Sequence, residues 1–265
     1  MSRSLTAIPL GKAFLNSPIA HRGLHDCNGS FGSGRTENSS AAFEAAITAG
    51  YGIEIDIQLS ADKVAIVFHD DTLDRLFDIN EKVSDLSLNV LKNFRLENGQ
   101  KILTFDEFLE LVSGRVPVLV ELKDQSGFLD DSSSDIEDAV AESLRKYSGP
   151  IAIMSFNPNS VWLFGQRLPN IPRGLVTEDF KKCDWPALNV SKLEELRRIK
   201  GLQLVAASFI SHKHSDLVSK YVARLPSNIN ILSWTIRNNK ELELALDRSD
   251  NITFEGFRPP QRIAS

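Results

Sequence analysis

Residues 52–70 read GIEIDIQLSADKVAIVFHD. Two β-type runs stand here, 52–59 and 63–69, with only residues 60–62 between them. A parallel crossover needs about a dozen residues or more, so these runs must form an antiparallel hairpin. That decides how the other runs are counted. Further strand patterns lie at 18–21, 117–123, 151–156, 173–177, 203–208, 230–236 and 251–255. Setting the hairpin's return strand aside leaves eight, mostly with a helical pattern before the next. The pattern predicts a (β/α)8 TIM barrel rather than a doubly wound sheet.

Helix starts are readable between the strands. Asn38 precedes SSAAFEAAITA and Gly50 ends it; Thr104 with Glu107 forms a capping box before FLELV. Ser191 precedes KLEELRRIK, and Asn238 precedes NKELELALDR. The chain has 265 residues, 42% of them hydrophobic, enough for one barrel domain over 1–265, since such barrels run to about 250 residues. The stretch from about 70 to 100 is expected to be a small insertion after the hairpin. Net charge is −5 and no basic block exists, which argues against nucleic acid as a partner. No stretch approaches the about 18 apolar residues of a membrane span. The N-terminus lacks a sustained apolar run, and Cys27 and Cys183 read as free thiols. The expectation is a cytoplasmic protein without stable membrane insertion, with a homo-oligomer left open.

The first strand of the hairpin carries more than fold information. Ile53, Ile55, Ile57 and Leu59 point one way, and Glu54, Asp56 and Gln58 the other. Barrel strands are apolar on both faces, so inward acids are costly unless they are paired or hold a metal. The bland alternative is an edge strand with one solvated face. A turn centred between Ala61 and Asp62 would set residue 54 opposite 69. His69 would then sit about 5 Å, Cβ to Cβ, from Glu54. In PVLVELK, Glu121 and Lys123 project from one face at the carboxyl end of the next strand, where this fold gathers functional groups. A structural Glu–Lys pair is the plainer reading of that segment. Three converging carboxylates suit a hard cation, Mg²⁺ or Ca²⁺, rather than zinc. His21 and Arg22 close the first strand at the same mouth, and Arg offers a planar fork to phosphate oxygens. Together these residues suit the hydrolysis of a phosphate ester.

One motif competes. GSFGSGRT (29–36) is one letter from a nucleotide-binding loop, in which Lys would replace Arg35. It lacks that Lys, and Glu37 and Asn38 follow at once, so residues 24–36 are expected to form a mobile glycine-rich loop over the mouth.

The chain resembles the glycerophosphodiester phosphodiesterase family in IAHRG (19–23), ENSSAAFEAAITAGYGIEIDIQLSADKVAIVFHDDTLDR (37–75), VELK (120–123), MSF (154–156) and LSWTIRN (232–238). The resemblance implies a TIM barrel that hydrolyses glycerophosphodiesters to an alcohol and sn-glycerol 3-phosphate with a divalent cation. It implies that His21 and His69 are the acid–base pair and that Glu54, Asp56 and Glu121 are the metal carboxylates. Arg22 and Lys123 match phosphate contacts. Glu37 matches an acidic residue that orients its neighbours at the substrate site, and Phe156 and Trp234 pack on the alcohol. Departures include Arg35-Thr36 in place of a Pro before Glu37, and Phe254-Glu255-Gly256-Phe257 where a Thr-Asp pair is common. The rival readings are a lysophospholipase D-like or other phosphodiester hydrolase, and a non-catalytic barrel that binds a phosphorylated metabolite.

Overall fold

The computed structural model describes residues 5–26, 34–97, 99–130 and 133–261. Among them run β1 (Ile19–Ala20), β2 (Gly52–Leu59), β3 (Ala65–Val67), β4 (Val118–Leu122), β5 (Ile151–Ser155), β6 (Arg173–Thr177), β7 (Phe209–Lys213), β8 (Asn230–Ile236) and β9 (Asn251–Phe254). Eight of these close into a ring of parallel strands, because β1 pairs with both β2 and β9. β3 lies antiparallel on β2, as the short turn requires. The fold is a (β/α)8 barrel.

The hairpin has a structural reason. β1 is two residues long and covers only the start of β2, with Ile19 opposite Gly52 and Ala20 opposite Ile53. The rest of that edge would leave buried backbone groups without partners. β3 supplies them, with Ile57 opposite Val67 and Leu59 opposite Ala65. This register is one residue away from the expected pairing of 54 with 69. Ser60 Oγ donates to Asp62 Oδ1 (2.7 Å) and accepts from Val64 N (3.0 Å), while Lys63 takes φ 63°. The turn therefore centres on Asp62 and absorbs one more residue.

Helices follow in order: α1 (Ala13–Asn16), α2 (Ser40–Ala49), α3 (Asp74–Phe77), α4 (Leu88–Leu91), α5 (Phe105–Val112), α6 (Asp135–Leu144), α7 (Pro158–Arg167), α8 (Val190–Arg197) and α9 (Asn239–Leu246). Ile53, Ile55 and Ile57 pack outward, with Phe43 of α2 and Phe105 and Phe108 of α5 in the same core. Leu119, Ala152, Met154, Val176, Phe209 and Leu232 form a second core with Phe14 of α1, which fills the lumen. α3 and α4 lie between β3 and α5 and carry a core of their own: Ile66, Phe68, Leu73, Val83, Leu91 and Ile102. No helix among the described residues is long and apolar enough to cross a membrane.

Three local expectations need correction. The seventh barrel strand is 209–213 rather than 203–208; the latter residues form turns, with Ala206 at φ 48°. The apolar letters of QLVAAS mimic a strand, whereas the actual strand, FISHK, turns polar toward the mouth. Ser39, not Asn38, caps α2, and Asn189, not Ser191, caps α8. The Thr104–Glu107 capping box and the Asn238 cap are as expected. Most of the glycine-rich loop, residues 27–33, and with it Cys27, lies outside the described residues; Cys183 is exposed with a free thiol.

Gly174 of β6 pairs directly with Phe209 of β7, and a Cβ there would stand 2.5 Å from the Phe209 ring. Gly174→Ala should overpack this layer and destabilise the fold by about 1–3 kcal/mol. Urea unfolding should show a lower midpoint at unchanged slope; a variant as stable as the parent would mean that the layer is not close-packed.

Candidate active site

The parallel register of β2 and β4 sets Asp56 directly opposite Glu121, with Glu54 two residues before Asp56 on the same face. All three carboxyl groups are buried, and one oxygen from each lies within 4.8 Å of the others. Burial, reinforced by the charges of Asp56 and Glu121, pushes the Glu54 carboxyl well above the ordinary glutamate value. Burial acts the same way on Asp56, but Lys123 and Arg22 outweigh it and hold that carboxyl well below the ordinary range. Lys123 Nζ stands 2.9 Å from Asp56 Oδ1 and 2.7 Å from Glu121 Oε1. Asn38 Nδ2 donates to Asp56 Oδ2 (3.1 Å), and the backbone N–H of Arg22 donates to Glu54 Oε2 (3.1 Å). Two side-chain cations thus face three acids. An all-oxygen donor set with unrelieved like charge fits a hard divalent cation.

His21, Arg22 and Gly23 follow β1 in a sharp turn. Arg22 takes φ 54° and Gly23 φ 80°, and a Cβ on Gly23 would meet Ala42 and Phe43 of α2 at 2.9 Å. Only glycine fits that approach. The turn aims Arg22 back over the acids, with Nε 3.3 Å from Asp56 Oδ2. His21 Nδ1 bonds Glu255 Oε2 at 2.5 Å, and its Nε2 lies 4.0 Å from Glu54. Burial and the neighbouring Arg22 lower the His21 pKa to about 4, despite Glu255. Glu255 is gripped from its other oxygen by Arg237 (2.7 Å).

His69 lies past the end of β3, where the chain has left the ladder, so it reaches the mouth despite the shifted register. Its Nδ1 bonds Asp70 Oδ1 at 2.6 Å. Arg75 of α3 donates to Asp70 (2.7 Å) and forks onto both oxygens of Glu37 (2.6 and 2.8 Å). Glu37 also accepts from Arg22 (2.8 Å). Burial opposes ionisation of Glu37 and Asp70, but these partners outweigh it; Glu37 is held below its ordinary value and Asp70 at about 2. An unbroken chain of ion pairs and hydrogen bonds therefore runs from His69 through Asp70, Arg75 and Glu37 to Arg22.

These groups border one cavity of about 170 Å³, lined by His21, Arg22, Glu54, Asp56, His69, Glu121 and Lys123. Phe156 and Trp234, edge to face with centroids 5.8 Å apart, line it too. Trp234 is pinned by Nε1 donating to Ser211 O (2.9 Å). Glu37 stands behind Arg22 rather than on the cavity wall. A wider cleft of about 640 Å³, beside α5 and α6, has no histidine in its lining.

The profile of the glycerophosphoryl diester phosphodiesterase family matches residues 21–251, a span that holds both histidines and all three carboxylates. The chain belongs to this family. A Bacillus subtilis protein, YhdW, provisionally named as a glycerophosphodiester phosphodiesterase, is 28% identical, over 84% of this chain and 86% of its own. Bovine glycerophosphodiester phosphodiesterase 1 is 25% identical over 85% of this chain and 73% of its own. The solved Oleispira antarctica phosphodiesterase, in complex with the product sn-glycerol-3-phosphate, superposes with a TM-score of 0.71 at 24% identity. The match covers 92% of this chain and 94% of that one.

Within this family member, every site residue expected from sequence except Glu37 reaches the cavity wall. The omissions are partners: Glu255 behind His21, Asp70 behind His69, Asn38 on Asp56, and Arg75 and Arg237. For Glu255 a signal existed, since an acid directly after the last barrel strand belongs at the same mouth.

The low His21 pKa makes a prediction with a definite sign. Between pH 6.5 and about 4 the unfolded chain takes up a proton at this residue and the folded chain does not. Stability should therefore fall as pH drops through that window, with no such loss above it and no further loss below. Urea unfolding in chelator should show wild type losing stability relative to His21→Gln across the window. A difference that does not vary with pH would contradict the buried neutral imidazole.

Proposed function

We propose that this chain hydrolyses glycerophosphodiesters to an alcohol and sn-glycerol 3-phosphate, using Mg²⁺ or Ca²⁺ held by Glu54, Asp56 and Glu121. The observation that carries the reading is the convergence of two histidines, three carboxylates, Arg22 and Lys123 on one small cavity, in a chain of this family. When bound, the cation supplies Lewis acidity to a phosphoryl oxygen and neutralises charge that develops there.

The chain's own residues divide the remaining work. Glu255 holds the Nδ1–H tautomer of His21, so that an unprotonated Nε2 faces the site and accepts a proton from the attacking water. As that oxygen bonds to phosphorus, the bond from phosphorus to the alcohol oxygen breaks. His69 is anchored by Asp70 and gives its proton to the departing alkoxide. Arg22 and Lys123 offer their charge to the phosphate oxygens, and Glu37 with Arg75 fixes the angle of Arg22. Phe156 and Trp234 pack on the alcohol portion. A second reading applies the same machinery to lysophospholipids. It is favoured by an apolar groove beside the cavity that shares Phe156 and Val176 with it and includes Leu129, Trp162, Phe180 and Leu196.

Turnover on glycerophosphocholine and glycerophosphoethanolamine, with and without chelator, tests the activity. His21→Ala and His69→Ala should each lower it by roughly 10²–10⁴. A nitrophenyl phosphodiester, whose leaving group needs no proton, should largely rescue His69→Ala and not His21→Ala. Turnover that survives exhaustive chelation, or rescue of neither variant, would sink the assignment.

A further inference from the structure

We infer that His21, His25 and Glu255 form a second metal site, built for a borderline-soft ion such as Zn²⁺, whose occupation blocks the base. One ligand atom from each of the three lies within 4.8 Å of the other two. All converge on a single oxygen, Glu255 Oε2, with His21 Nδ1 at 2.5 Å and His25 Nε2 at 3.8 Å. Glu255 Oε1 is turned away and held by Arg237, which leaves Oε2 for the histidines.

His25 is the second, independent pointer. It is 7% exposed, and its Nε2 is buried without a hydrogen-bond partner while aimed at Glu255. A buried polar atom left unsatisfied costs about 1–3 kcal/mol. Nothing in the proposed hydrolysis uses His25, and a ligated ion would remove that cost.

The chemistry of the donors separates this site from the carboxylates next to it. Two imidazoles and one carboxylate, with a fourth position open, form a set that suits zinc. Glu54, Asp56 and Glu121 offer only oxygen and suit Mg²⁺ or Ca²⁺. The two ions would therefore occupy neighbouring sites without exchanging places. Zinc would take the place of the proton shared between His21 and Glu255, which leaves to solvent, and the two ligand atoms would separate to admit it. With the ion on Nδ1, a neutral His21 carries its remaining proton on Nε2. It can then no longer accept one from the nucleophile, so zinc arrests the enzyme without displacing its hard cation. The inhibitory half of this inference rests on the proposed role of His21; the binding half does not.

The test uses the full chain saturated with Mg²⁺. Co²⁺, a spectroscopic stand-in, should bind and give the intense visible absorption of a low-coordinate, histidine-ligated ion. Zn²⁺ should displace it and inhibit hydrolysis of glycerophosphocholine. His25→Gln should keep its Mg²⁺-supported turnover while zinc binding and zinc inhibition weaken in step. The expected loss is about tenfold or more, at least what losing an outer-shell partner costs. Zinc binding that depends on His25 but does not inhibit would uphold the site and overturn the base role of His21. The site itself is overturned if Co²⁺ fails to bind wild type, if Mg²⁺ competes the ion away, or if His25→Gln binds zinc as tightly as wild type.

Discussion

Glu54, Asp56 and Glu121 sit side by side in the lumen of the barrel, and like charges so close in a buried place repel one another strongly. The rest of the mouth is arranged around that repulsion. Lys123 bridges two of the acids from the end of the same strand that carries Glu121. Arg22 arrives from β1, through a left-handed turn that Gly23 makes feasible by its lack of a Cβ. Asn38 gives up the helix cap to Ser39 and donates to Asp56 instead. Even so, two side-chain cations do not balance three carboxylates, and burial, reinforced by the remaining like charge, raises the Glu54 pKa.

The insertion after β3 reads as part of the same construction. It carries a small core of its own, which seats α3 so that Arg75 can span Asp70 and Glu37. That span ties the histidine on one wall to the arginine on the other. This chain of ion pairs and hydrogen bonds fixes where His69 and Arg22 stand relative to one another. His21 has a shorter support, Glu255 backed by Arg237.

Much of this was legible in the sequence because period-two alternation and loop length are local properties. The three-residue gap at 60–62 determined the hairpin, and the alternation in IEIDIQL placed Glu54 and Asp56 on the inward face. What failed was non-local or depended on one residue of turn chemistry. The hairpin register slipped because Ser60 and Asp62 hydrogen-bond within the turn. The seventh strand lies later than the apolar letters suggest, because FISHK owes its strand character to its position between β6 and β8, which composition does not reveal. Glu255 and His25 come to His21 across 234 and four residues of chain respectively, so only the closed barrel brings all three together.

If the three buried carboxylates take up a divalent cation, its charge must drive the proton off Glu54, and that release can be measured. Chelator-treated protein should be titrated calorimetrically with Mg²⁺ or Ca²⁺ a little above the ordinary glutamate value of 4.5, in buffers of different ionisation enthalpy. The raised Glu54 carboxyl holds a proton there more firmly than an ordinary glutamate and must release it to bind the ion. The observed heat should vary with the buffer and report one class of released proton, and that release should be lost in Glu54→Gln. Binding without proton release, or no binding at all, would rule out a cation held by these carboxylates.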